Sequence, residues 1–242
     1  MLGSIKLCTW NIWFSPKYQK KRIIHAMTEI QNINADIICL QEVTKSIIDT
    51  ILQCSIVNTY QIFYDTYCLS TYAQIFLVNK KMTKYVVSFD SISFPETKMA
   101  RRFYQLTLAN GLIIINVHLE SSFTGKDAII KFLQLKYLFN KYFDKKTIIC
   151  GDFNMSSTDD YNITSLINTS GFFDIGAQIF TYDCLKNTNI NDNFRSRLDR
   201  IICNFPCHYE NGVPLGQTTF YADQKQIFPS DHFGLVIQIN RY

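Results

Sequence analysis

Five apolar runs in this 242-residue chain end in polar groups able to do chemistry. Thr147 to Asn154 reads Thr-Ile-Ile-Cys-Gly-Asp-Phe-Asn. The run stops at Gly151 and delivers Asp152 and Asn154 to the edge of a buried sheet, where α/β proteins commonly place their sites. Side chains two apart on an extended backbone share a face, so these two are expected to point the same way. Asn11, Glu42 and His118 end other such runs, and Pro229 and Gly234 bracket Asp231-His232. A carboxylate at a buried strand end, such as Glu42 or Asp152, needs a cation or a hydrogen-bond network to stay charged. Carboxylate and amide oxygens favour a hard ion such as Mg²⁺. Asp231 could fix the tautomer of His232, which suits a group that binds or protonates a phosphate oxygen. Taken singly, each acid reads better as a solvated strand terminus or a helix cap, and Arg197-Leu198-Asp199-Arg200 as a solvated charged turn.

The elements that must position these groups follow from periodicity. Ile5 to Ile12 predicts a strand, and Lys17 to Ile33 a helix with Ile23, Ile24, Met27, Ile30 and Ile33 on one face and Lys and Arg opposite. Asp36 to Leu40 predicts a buried strand, and Thr44 caps a helix to about Cys54. Extended segments are expected at Tyr60 to Tyr64, Tyr72 to Val78, Lys84 to Phe89, Arg102 to Leu108 and Leu112 to Val117, with a hairpin turn at Asn110-Gly111. The middle of the chain is therefore mainly antiparallel. Gly125 to Phe143 predicts a helix with Ile129, Phe132, Leu133, Lys136 and Leu138 on apolar and basic faces, and a shorter helix spans Ile163 to Asn168. Strands at Arg200 to Cys203 and Leu235 to Ile239 close a pattern of two packed sheets flanked by helices, read as one domain over residues 1–242.

Composition narrows the setting. Hydrophobic residues at 47% and aromatics at 14% imply a folded globular chain. The apolar runs are strand-sized, well short of the roughly 18 residues of a membrane span, and no signal-peptide pattern is visible. The eight cysteines are spread along the chain, several inside apolar strands, and read as buried reduced thiols. Cys203, Cys207 and His208 lack a second ligand pair at zinc spacing. Glycosylation acceptor patterns begin at Asn154, Asn162 and Asn168, so a site using Asn154 favours the cytosol or nucleus over a glycosylating compartment. A net charge of +4 permits a phosphate-bearing substrate and does not by itself mark a nucleic-acid binder.

Taken in order, Thr9-Trp10-Asn11, Leu40-Gln41-Glu42, His118-Leu119-Glu120-Ser121, Gly151-Asp152-Phe153-Asn154 and Ser230-Asp231-His232 resemble the motifs of the endonuclease/exonuclease/phosphatase superfamily. Phe94 to Met99 with Arg101, Thr181-Tyr182-Asp183, Arg197 to Ile201 and Phe228 to Leu235 narrow the resemblance to its tyrosyl-DNA phosphodiesterase 2 branch. The resemblance implies a four-layer α/β/β/α sandwich and Mg²⁺-dependent hydrolysis of the bond between a tyrosine and a DNA 5′ phosphate, with Mn²⁺ able to substitute. It implies DNA with a single-stranded or frayed 5′ end as partner, no membrane and a monomer. Carried over by motif, Glu42 and Asp152 hold the metal, and Asp152 also orients or activates the attacking water. Asn11 and Asn154 help position metal, water and phosphate. His118 and His232 contact the scissile phosphate, with Asp231 orienting His232. Ser121, Arg101, Tyr72 and Tyr182 line the substrate groove, and Asp199 supports the site. The chain departs from the pattern at Tyr182, where tryptophan is frequent, and at Met155-Ser156-Ser157, where an arginine and an acid are common. Related reactions of the superfamily, on abasic sites, RNA tails, sphingomyelin or inositol phosphates, are the alternatives within the class. An inactive nucleic-acid-binding module is the alternative outside it.

Overall fold

Alternate residues along each central strand divide between two apolar cores, and that division sets the architecture. The computed structural model describes residues 3–66, 71–121 and 126–240. One sheet contains β1 (Ser4–Asn11), β2 (Ile37–Val43), β3 (Tyr60–Phe63), β4 (Ala73–Asn79), β13 (His208–Asn211) and β16 (Leu235–Asn240), in the order β13-β16-β1-β2-β4-β3. The other contains β5 (Val86–Ser93), β6 (Arg102–Leu108), β7 (Ile113–His118), β8 (Thr147–Asp152), β9 (Phe173–Asp174) and β12 (Asp199–Cys203), in the order β5-β6-β7-β8-β12-β9. Leu7, Ile37 and Cys39 of the first sheet meet Ile114, Ile148, Cys150 and Ile201 of the second in a central core. Their neighbours Cys8, Trp10, Ile38 and Leu40 turn outward onto α1 (Gln19–Ile33) and α2 (Lys45–Ile51). On the far side Ile113, Ile115, Val117 and Ile149 pack on α3 (Ile130–Tyr142) and α4 (Asp160–Thr169). The result is the expected four-layer α/β/β/α sandwich, each layer boundary drawn by period-two alternation.

The main strands and helices form close to where periodicity puts them, and the exceptions have local causes. Thr44 caps α2 by accepting from the Ile47 amide at 3.3 Å, but the helix ends at Ile51, short of Cys54, and a separate 3₁₀ turn spans Ser55–Asn58. The segment begun at Lys84 first makes a 3₁₀ turn, and β5 starts at Val86. Gly125 lies outside the described residues; α3 begins at Ile130 after a 3₁₀ turn over Lys126–Ile129. Its buried face differs from the apolar reading: Ile129 and Leu133 are exposed, whereas Lys131 and Gln134 are buried. Likewise Arg22 does not join the solvent face of α1 but is fully buried. Two short ribbons, β10 (Tyr182–Asp183) with β11 (Arg195–Ser196) and β14 (Phe220–Ala222) with β15 (Lys225–Ile227), carry too few residues to show a period. Among the described residues no helix is long and apolar enough to cross a membrane.

Candidate active site

Strand register brings the chemistry-bearing residues together. Parallel pairing of β7 with β8 sets His118 beside Asp152, and antiparallel pairing of β12 with β8 sets Asp199 on the other side of Asp152. A row His118, Asp152, Asp199 thus crosses the end of the second sheet. In the first sheet, parallel pairing of β1 with β2 aligns Asn11 with Gln41, immediately before Glu42. Glu42 lies at φ 60° within an irregularity of the β2–β4 ladder, which breaks strand alternation at this residue. Gln41 donates to Asn116 of β7 at 2.7 Å and to Thr9 at 3.0 Å, pinning the two sheets together behind the site.

Gly151 explains why the Asp152 strand needs a glycine. Its φ is +138°, and a Cβ there would lie 2.0 Å from the Val117 carbonyl oxygen. Only a residue without a side chain lets β8 approach β7 this closely. The shared-face expectation for Asp152 and Asn154 fails because Asn154 leaves the extended region, at φ 52°. Its backbone amide turns back to donate to Asp152 Oδ1 at 2.8 Å, and its side-chain Nδ2 donates to the Leu119 carbonyl at 2.9 Å. Asn154 still reaches the site, as a brace on Asp152 and part of the cleft wall.

The cleft has a volume of about 740 Å³ and is lined by Glu42, Tyr72, Arg101, His118, Ser121, Asp152, Asn154, Tyr182 and His232, together with Phe14 and Met99. Asn11, Asp199 and Asp231 do not line it. Asn11 Nδ2 donates to Asp152 Oδ2 at 3.0 Å. The His118 and His232 Nε2 atoms lie 3.6 and 3.9 Å from the same oxygen. Ser121 Oγ contacts Met99 Sδ at 3.1 Å, and Tyr182 sets its ring edge-on to His232 with centroids 5.2 Å apart. Tyr72 lies against Phe14, Arg101 and His118 at 5.1, 5.3 and 5.7 Å.

The expected pairing of Asp231 with His232 gives way to a different one. His232 Nδ1 meets Asp199 Oδ2 at 2.8 Å, while Asp231 accepts from the Ser230 hydroxyl at 3.3 Å. β12 supplies the carboxylate that the adjacent residue was expected to give. Thr181 Oγ1 in turn accepts from the Asp199 amide at 3.0 Å.

Burial and charge act in opposite senses on the two imidazoles. Burial, then the charge of Arg101, holds His118 well below the usual histidine range. Burial also pulls His232 down, but the charge and hydrogen bond of Asp199, with Asp152 and Asp231, hold it well above that range. Burial pushes Asp152 up to about 6, with His232 opposing the shift and Asp199 adding to it. Burial raises Glu42 as well, against the Phe14 amide that donates to it at 3.0 Å, and Asp152 repels it further. Two buried carboxylates that both resist ionisation mark a deficit of positive charge.

A hard divalent cation fits that deficit. Glu42 and Asp152 offer oxygens that converge on His118 Nε2 from 3.9 and 3.6 Å, and Mg²⁺ takes one or two carboxylates while keeping waters. Asp152, Asp199 and His232 also bring potential ligand atoms within 4.8 Å of one another. In that group, however, Asp199 already accepts from the imidazole, as an outer partner that orients a ring does. Cys203 and Cys207 approach to 3.8 Å without joining a ligand cluster with other described residues.

Several positioning residues gave no motif-independent signal. Buried Arg22 donates to the carbonyls of Ile12, Trp13, Ser15, Lys17 and Pro229, tying the loop after β1 to the loop before His232. Buried Lys131 donates to the Asn154 carbonyl at 3.0 Å and pairs with Asp159 at 3.0 Å, supporting the segment where an arginine was expected. Buried Glu120 accepts from the amides of Lys98 and Met99, from Thr97 Oγ1 and from Gln134 Nε2. For Lys131 alone a hint was available, a charged residue inside the apolar stretch Ile129 to Leu133.

Two face-packed sheets flanked by helices, with carboxylates, amides and two imidazoles gathered where strands of both sheets end, define a class. The description "Endonuclease/Exonuclease/phosphatase family" matches residues 8–232, and the chain belongs to that family. Among solved structures, truncated TDP2 of Caenorhabditis elegans superimposes with a TM-score of 0.78 at 22% identity, covering 98% of this chain and 98% of that one. TDP2 of D. rerio complexed with single strand DNA product gives 0.79 at 21% identity, covering 98% and 99%. Staphylococcus aureus beta toxin gives 0.73 at 17% identity, covering 96% and 99%. At these identities the likeness is one of fold. No curated protein matches the sequence significantly.

Proposed function

We propose that the chain is a Mg²⁺-dependent phosphodiesterase that hydrolyses the bond between a protein tyrosine and a DNA 5′ phosphate, leaving a 5′-phosphate end. The observation that carries the reading is the pair of imidazoles facing Asp152, one backed by Arg101 and the other by Asp199, with Glu42 beside it. The TDP2 neighbour bound to single strand DNA product supports the choice of DNA as substrate. A single-stranded or frayed 5′ end, acted on in the nucleus or cytoplasm by a monomer, completes the proposal.

A cation held by Glu42 and Asp152 would withdraw charge from the phosphate oxygens. The chain's own residues do the remainder. Asn11 and the Asn154 amide fix Asp152 through donors at 3.0 and 2.8 Å, so its carboxylate can accept a hydrogen bond from a water and aim it at phosphorus. An arginine has no acceptor, so the contact of 3.1 Å from Arg101 Nη1 leaves His118 Nδ1 as a lone pair and puts the proton on Nε2. His232, protonated on Nδ1 toward Asp199, also presents an N–H at Nε2. Both rings therefore donate toward the space in front of Asp152, where a phosphate gathers charge in the transition state. A tyrosine leaves as phenolate, with a conjugate-acid pKa of about 10, so no strong general acid is required.

The test incubates the protein and Mg²⁺ with a 5′-phosphotyrosyl oligonucleotide, an abasic duplex and a 3′-phosphotyrosyl oligonucleotide. The expected result is a 5′-phosphate end from the first substrate alone, lost on chelation of the metal. Asp152→Asn and Glu42→Gln should each lower the rate by roughly a thousandfold or more. Equal activity on all three substrates, or activity surviving in both variants, overturns the reading.

A further inference from the structure

Phe14 stands in the cleft with a solvent-open ring on an immobilised backbone. Phe14 is 45% exposed and lines the cleft. A lone exposed phenylalanine is ordinary, and a loose loop would explain it. This loop is not loose. The Phe14 amide donates to Glu42 Oε2 at 3.0 Å, and the preceding Trp13 amide donates to Asn11 Oδ1 at 3.1 Å. Arg22 donates to the carbonyls of Trp13 and Ser15 on either side of Phe14, and its guanidinium lies 4.6 Å from the Trp13 ring. Trp13 itself is held at φ 59°, a conformation a bulky residue adopts only when its surroundings impose it. The backbone is thus fixed on both sides while the ring is left facing the cleft.

The ring is also aligned. Phe14 and Tyr72 are stacked with centroids 5.1 Å apart and planes within 7°. Tyr72 already has the Arg101 guanidinium 5.3 Å and the His118 ring 5.7 Å from its centre. In this row, from His118 and Arg101 through Tyr72 to Phe14, His118 and Arg101 are buried, Tyr72 is half-buried and Phe14 is the most open. A flat group joined to the phosphate in front of His118 could extend the row by stacking on Phe14.

We infer that Phe14 is a specificity-determining residue that stacks on an aromatic ring attached to the scissile phosphate. The ring has two possible sources, the aryl leaving group and the terminal nucleobase, and both present the same planar π surface. The inference rests on the proposed phosphodiesterase reading and adds a selectivity for ring-bearing esters over ring-free ones.

The experiment measures binding in Mg²⁺ by ³¹P NMR titration with 4-nitrophenyl phosphate, thymidine 5′-phosphate and 2-deoxyribose 5′-phosphate. It compares the native protein with Phe14→Ala and Phe14→Tyr. Phe14→Ala is expected to weaken one or both ring-bearing ligands about tenfold and to leave deoxyribose 5′-phosphate within about twofold. Phe14→Tyr should match the native protein. A loss confined to 4-nitrophenyl phosphate assigns the ring to the leaving group; a loss confined to thymidine 5′-phosphate assigns it to the base. Equal weakening of all three ligands would mean that the substitution merely disturbs Glu42, and it overturns the inference, as does no change or no binding by the native protein. The binding readout is independent of turnover, so failure of the phosphotyrosyl cleavage assay remains distinguishable from failure at Phe14.

Discussion

His118 and His232 approach Asp152 Oδ2 to 3.6 and 3.9 Å, but behind them the partners differ in kind. His118 Nδ1 faces the guanidinium of Arg101 at 3.1 Å; His232 Nδ1 faces the carboxylate of Asp199 at 2.8 Å. A guanidinium can only donate and repels a second positive charge, so it fixes a neutral imidazole with its proton on Nε2. A carboxylate can only accept and attracts charge, so it favours the imidazolium. Both rings present an N–H to the cleft, yet the charge each brings is decided one residue further out. A phosphate between them would meet one neutral and one cationic donor.

Removing the outer partners in turn should separate these roles. The largest effect is expected from Asp199→Asn, which keeps the shape but withdraws the charge and permits the other tautomer of His232. Steady-state kinetics on a 5′-phosphotyrosyl oligonucleotide should show kcat lower by roughly ten-thousandfold, the order found when a carboxylate orienting a catalytic imidazole is neutralised, with little change in KM. Arg101→Met should cost less, about a hundredfold or below, because His118 is already neutral from burial and loses only its tautomeric bias. Nitrogen-15 NMR checks the cause directly. In the native protein His118 should show a bare Nδ1 and a protonated Nε2, and in Arg101→Met a mixture. A native His118 protonated on Nδ1 would contradict the contrast between the two rings.

The residues that face the cleft were largely legible in the sequence, the partners behind the two imidazoles were not, and the limits were physical. The strand ends at Asn11, Glu42, His118 and Asp152 were visible because strands buried on both faces leave short apolar runs that stop at a polar residue. The Asp199 pairing was not, because it depends on the antiparallel register of β12 on β8, which joins residues far apart in the chain. Adjacency suggested Asp231 in its place, and adjacency is a poor guide where the backbone turns between neighbours. Asn154 was found as a residue but given the wrong geometry, since strand alternation ends at a positive φ that no local pattern announced. Arg22, Lys131 and Glu120 look like surface charges in a linear reading. What buries them is a surplus of backbone carbonyls or amides in a neighbouring loop, which only the folded chain reveals.

The two outer partners also differ in how they are delivered, and this gives the smallest of the expected effects. Asp199 stands on β12, paired by strand register, whereas Arg101 follows a loop whose Lys98 and Met99 amides donate to Glu120 Oε1 at 3.0 and 2.9 Å. Thr97 and Gln134 donate to the other oxygen at 3.0 and 3.3 Å. Every ligand of that carboxylate is a donor, so Glu120→Gln must turn an NH₂ toward a group that also donates, at a cost of about 1–3 kcal/mol where the group cannot reach water. Either the loop amides or the Thr97–Gln134 side then loses its acceptor. Urea unfolding should show a stability loss of that order. Hydrogen exchange at Lys98 and Met99 should accelerate, and KM should rise a few-fold with kcat nearly unchanged. The loosened loop should blur the tautomer of His118 while leaving His232 as it was. If both rings change together, or if the loop amides keep their protection, then Arg101 is held by its own contacts and Glu120 serves only the core.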